Sequence, residues 1–73
     1  MMRTIAENIR EARTSRGWSK QQLSQMSGLN KSLIDNYEAG RTYPNLISFI
    51  ALADAFDMSM DELAGRKRRG KED

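Results

Sequence analysis

No cysteine and no histidine occur anywhere in the chain, which excludes disulfide staples, zinc knuckles and nucleophile-histidine pairs before any motif is sought. Proline occurs once and no apolar run approaches the roughly 20 residues of a membrane span. The opening MMRTIAENIREAR lacks the apolar centre of a secretory signal. These absences predict a soluble, unprocessed, cytoplasmic protein with no membrane partner, a setting that the missing cysteine also fits. The carboxylates form no evident inward-facing pair, so no enzymatic activity, cofactor, metal or small-molecule ligand is expected. At 73 residues the chain has room for one domain, whose single apolar core must hold without metal or disulfide help.

Formal net charge is +2, but its distribution is more informative than its total. Arg66, Lys67, Arg68, Arg69 and Lys71 crowd the end of the chain, against Glu72 and Asp73. Residues 1–65 hold seven Lys/Arg and eight Asp/Glu, so the body is slightly acidic. Within it Arg10, Arg13, Arg16, Lys20, Lys31 and Arg41 precede Asp54, Asp57, Asp61 and Glu62. Such a dipolar body presents a basic end to an anion, although ordinary solvated surface gives the same pattern.

Capping residues and glycines at close intervals predict five short helices and little room for strands. Ile5, Ile9 and Ala12, with Met2 one turn earlier, make an apolar stripe that stops near Arg16-Gly17. Ser19 and Gln22 have capping-box spacing and open a second helix to about Ser27, with Leu23 and Met26 as its inner face. Gly28 supplies a tight turn. Asn30 caps a third helix to about Ala39, with Ile34 and Tyr37 inward, and Gly40 closes it. Pro44 and Asn45 prepare a fourth, in which Leu46, Phe49, Leu52, Ala53 and Phe56 share a broad face. Ser59 and Glu62 form a further capping box for a last short helix. The expected organisation is a domain over residues 1–65 and a basic, disordered tail over 66–73, which either adds phosphate contacts or serves solubility.

Two helices of about eight residues joined by a glycine turn have the layout of a helix-turn-helix, here from about Ser19 to Glu38. The third helix offers Asn30, Lys31 and Ser32 in its first turn and Asn36 one turn beyond Ser32. Asn can bond adenine through two atoms, Lys reaches guanine acceptors or phosphate, and Ser both donates and accepts. Spacing alone leaves open that Asn30 only caps and that the others are merely solvated.

The stretch GWSKQQLSQMSGLNKSLIDNYEAGRTYPNL, followed by FIALADAFDMSMDEL, resembles the phage lambda repressor and Cro-type helix-turn-helix family over roughly Met2 to Gly65. The marks are Arg13, Gly17, Gln22-Leu23, Gly28, Ser32, Ile34, Tyr37-Glu38-x-Gly40, Pro44, Leu52-Ala53 and Ser59-x-Asp61-Glu62-Leu63. The resemblance implies an all-α, compact five-helix domain whose third helix reads the DNA major groove, in a transcriptional regulator, usually a homodimer on a palindromic operator. Residue by residue, it implies base reading by Lys31, Ser32 and Asn36, and backbone contacts by Lys20, Asn30, Arg41 and Thr42, with Tyr43 a weaker candidate. It also implies a structural ion pair between Arg13 and Glu38.

Three positions depart from the family pattern. Ala39 replaces a polar or basic residue, Asp57 stands where glycine is common, and Asp35 puts a negative charge in the reading helix. Asp35 could accept from cytosine, but a surface charge that discourages wrong contacts is the reading favoured here. Leu33 either meets a thymine methyl or packs against the second helix, and packing is favoured. Ile47, Ala51 and Met60 exceed what one small core needs and are assigned to a dimer contact. Repression is the default outcome of DNA binding. A protein-interaction module on the same fold, such as an antitoxin or adaptor, is the alternative, and the polar, basic first turn of the third helix argues against it.

Overall fold

The computed structural model describes residues 4–66, which form five α-helices and no strand. These are α1 (Ile5–Ser15), α2 (Lys20–Ser27), α3 (Lys31–Glu38), α4 (Leu46–Phe56) and α5 (Met60–Ala64). The fold is all-α, as the capping pattern predicts. The basic tail lies outside the described residues except for Arg66.

Each helix begins on a side chain that satisfies its own first amides. Ser19 with Gln22 and Ser59 with Glu62 form reciprocal capping boxes, while Asn30 and Asn45 cap α3 and α4. Thr4 and Glu7 form a third box that starts α1, with Glu7 N–H donating to Thr4 Oγ1 at 3.1 Å. Met2, which the expected apolar stripe includes, lies outside the described residues.

One side chain from every helix is completely buried: Ile9, Leu23, Ile34, Leu52 and Leu63 each have 0% exposure. Ala12, Tyr37, Ala53 and Phe56 complete the buried core, and Ile5, Trp18, Leu29, Phe49, Ala55 and Met58 pack around it. α3 packs against both α1 and α2, so the core sits directly behind it.

Two expected core positions are instead exposed. Leu46 is 65% exposed, because at about 100° per residue it sits roughly 120° around α4 from Leu52. Met26 is 56% exposed, since α2 contributes only Leu23 to the buried core. Leu33 retains 36% exposure, so most of its side chain is covered.

A second tie, unmarked in the sequence, joins α1 to α4. Arg16 Nη2 donates to the Phe56 carbonyl at 2.6 Å and its Nη1 to the Ala12 carbonyl at 2.8 Å. Its guanidinium lies 5.2 Å from the Phe56 ring centroid and 6.0 Å from that of Trp18. Those two rings stack with centroids 6.0 Å apart. Immediately after Phe56, Asp57 adopts the left-handed conformation at φ 58°, so a non-glycine residue terminates α4.

Candidate nucleic-acid interface

The turn between α2 and α3 is built from serines on α2. Ser24 Oγ donates to the Leu29 carbonyl at 2.6 Å, and Ser27 Oγ accepts from Leu29 N–H at 3.2 Å while donating to the Leu23 carbonyl at 2.8 Å. Gly28 takes φ 78°, a conformation that a Cβ would strain. The direction in which α3 leaves the turn is therefore set by hydrogen bonds as well as by Leu23 and Ile34 in the core.

The far end of α3 is clamped to α1. Arg13 Nε and Nη2 donate to the two Glu38 carboxylate oxygens at 2.7 and 3.0 Å, while Nη1 donates to the Trp18 carbonyl at 2.9 Å. The side chains are 12% and 5% exposed, so both charges have left most of their water. The hydrogen bond to Glu38, the largest influence, raises the Arg13 pKa, opposed by burial and supported by the charges of Glu38 and Asp35. The planar two-point pairing offsets the cost of taking both ions from water.

Between these anchors α3 presents its polar side. Lys31 and Ser32 are exposed in the first turn, and Asn36 follows, half-buried. Asn30 caps the helix by accepting from Leu33 N–H at 3.0 Å, which leaves its amide nitrogen as an outward donor. Capping and an anion contact are therefore compatible for this residue. Asn36 Oδ1 accepts from Arg41 Nε at 2.9 Å, and Arg41 N–H donates to the Asn36 carbonyl at 3.0 Å. The loop after α3 is thereby held to that helix, with Arg41, Thr42 and Tyr43 exposed beside it.

Asp35 joins two other candidate residues. Its carboxylate lies 3.0 Å from Lys20 Nζ at the start of α2 and 3.7 Å from Lys31 Nζ one turn earlier on α3. The hydrogen bond from Lys20 is the largest influence lowering the Asp35 pKa; partial desolvation opposes it, and the Lys20 and Lys31 charges reinforce it.

Two groups of candidates are thus joined by contacts, Lys20 with Lys31 through Asp35 and Asn36 with Arg41, while Asn30, Ser32 and Thr42 are exposed. Arg10 is the residue that sequence reading omits. It lines a cleft with Lys20, Asp35 and Ala39, and a second groove with Thr42 and Tyr43. Its i,i+3 spacing to Arg13 on α1 was the available signal. Among the described residues no His/Cys/Asp/Glu group could hold a metal ion, and no helix is long and apolar enough to cross a membrane.

Comparison with known proteins places this arrangement. The chain is 36% identical over 63 residues to the HTH-type transcriptional regulator AnsR of Bacillus subtilis, covering 86% of the chain and 54% of that relative. It therefore spans about half of AnsR's length. The restriction-modification controller protein C.AhdI from Aeromonas hydrophila superposes with TM-score 0.78 and 34% identity over 81% of this chain and 89% of that one. The P22 c2 repressor, solved in complex with a synthetic operator, superposes with TM-score 0.81 and 28% identity, over 89% of this chain and 98% of that one. The Helix-turn-helix family model matches residues 9–63, and the chain belongs to that family, with the five-helix architecture of the lambda-repressor-like domains.

Proposed function

We propose that this chain is a cytoplasmic, non-enzymatic transcriptional regulator that binds double-stranded DNA sequence-specifically and represses as a homodimer on a palindromic operator. The observation that carries the reading is the exposed polar first turn of α3, rigidly set between the serine-bonded turn and the Arg13–Glu38 clamp. AnsR is a transcriptional regulator by name, and the P22 c2 repressor was solved on an operator. Lys31, Ser32 and Asn36 read base edges, while Lys20, Asn30, Arg41 and Thr42 set the register on the phosphates. Residues 1–65 form the DNA-binding domain and 66–73 a basic extension of it.

The dimer reading rests on the outer side of α4 and the start of α5. Of the residues assigned to a dimer contact Ile47 is 79% and Met60 41% exposed, while Ala51 is half-buried; Leu46 at 65% and Ile50 at 40% extend the patch, so α4 is apolar on both its core and its outer side. A second copy placed there would bury this surface, and a two-half-site operator requires the two α3 helices of such a pair to lie about one DNA turn, roughly 34 Å, apart. Ile47→Asp is expected to convert the chain to a monomer in sedimentation equilibrium while keeping the helical circular-dichroism spectrum, because the side chain lies outside the core; its melting temperature should lose the concentration dependence of the dimer. A wild-type chain that sediments as a monomer, both free and on a two-half-site duplex, contradicts the dimer.

A further inference from the structure

We propose that Asp35 is a specificity-determining residue, a carboxylate that withholds Lys20 and Lys31 from non-cognate phosphates and demands a base-edge amino group on the cognate site. The inference rests on the DNA-reading function proposed above.

Three observations carry it. First, Asp35 sits in the middle of α3, between Lys31 and Asn36, on the side where base readers are assigned. Second, its two oxygens lie near two ammonium groups from different helices, 3.0 Å from Lys20 and 3.7 Å from Lys31. Third, all three side chains are solvent-exposed by at least 36%, so the cluster is accessible and is not a core tie. Exposed ion pairs add little to stability. Folding therefore gives little reason for a carboxylate here.

The consequence for DNA is electrostatic. Non-specific binding rests on lysine and arginine replacing counterions at phosphates. Asp35 competes with phosphate for both lysines and adds its own repulsion against the backbone. Every base pair carries one major-groove amino group, on one strand or the other, so this loss is recovered only where that group lies on the strand Asp35 faces. On a cognate site the carboxylate needs a donor, and the major groove offers only two, cytosine N4 and adenine N6. Once Asp35 accepts from such an amino group, Lys31 is freed towards an acceptor on a neighbouring base and Lys20 towards the backbone. Guanine or thymine opposite Asp35 presents an acceptor instead, which leaves the carboxylate facing oxygen lone pairs.

Selection from random-sequence DNA with the wild type, Asp35→Asn and Asp35→Glu tests this, paired with salt titrations on non-specific duplex. The amide both donates and accepts, so Asp35→Asn is expected to tolerate guanine or thymine at one position per half-site. Its specific to non-specific affinity ratio should fall by about tenfold, within the range for one base contact. The salt dependence of its non-specific binding should steepen by about 0.9 per protomer, one extra phosphate neutralised. Asp35→Glu keeps the carboxylate and should keep both the base preference and the wild-type slope. Base preference lost in both variants, or in neither, overturns the inference while leaving the proposed function standing. Failure of the wild type to enrich any sequence overturns both.

Discussion

Glu38→Ala should destabilise the domain by about 3–5 kcal/mol, because it strands the Arg13 guanidinium in a site where only 12% of that side chain is exposed. Domains of this size have total stabilities of only about 4–11 kcal/mol. A substantial unfolded fraction at moderate temperature is the expected result. DNA binding should be lost with it, although Glu38 faces the core side of α3 and is assigned no DNA contact. Arg13 also holds the Trp18 carbonyl, so its displacement disturbs the start of the α2 capping segment as well as the end of α3. Circular dichroism melting of the variant checks this. Equal melting temperatures of Glu38→Ala and wild type would remove the pair from the account. The double replacement Arg13→Met with Glu38→Leu should recover much of the loss, since neither buried charge then remains.

The second large effect falls on recognition and leaves the fold intact. Asn36→Ala should weaken binding to the preferred site by about 1–3 kcal/mol, the value of a two-point adenine contact, or roughly 5- to 150-fold. Binding to unrelated duplex should barely change, because an uncharged side chain releases no counterion. Asn36 also receives Arg41 Nε, so the variant loosens the loop after α3. This bond is exposed and its loss should cost little stability. Anisotropy titrations on cognate and scrambled duplexes separate the outcomes. Equal loss on both would show that Asn36 acts through Arg41 and the backbone; no loss on either would remove it from the readers.

What was legible in the chain was local. Ser19 with Gln22, Ser59 with Glu62, and the caps Asn30 and Asn45 each act within three residues, so four of the five helix starts follow from spacing alone. The Thr4-x-x-Glu7 box has the same signature, hidden by extending the apolar stripe back to Met2. What escaped depends on how helices cross. Arg16 reaches the carbonyl of Phe56, 40 positions away, and Trp18 stacks on the same residue. No periodicity within one helix encodes that meeting. The Lys31–Asp35 pair has i,i+4 spacing within α3 and was open to the sequence, but the arrival of Lys20 at the same carboxylate requires the α2–α3 angle set by Ser24, Ser27 and Gly28. The candidate site was named residue by residue from the family resemblance, whereas the pairings of Asn36 with Arg41 and of Asp35 with Lys20 appear only in three dimensions.

Selection of preferred sites from a random duplex library by the wild-type chain tests the central claim most directly, since it reports binding, base preference and half-site spacing together. The account predicts enrichment of two inverted half-sites whose centres lie about 10 base pairs apart. Within each, changes at the bases facing Lys31, Ser32 and Asn36 should cost about 1–3 kcal/mol apiece. A library that emerges without an enriched motif would contradict DNA reading by α3 and favour a protein-interaction role for this fold.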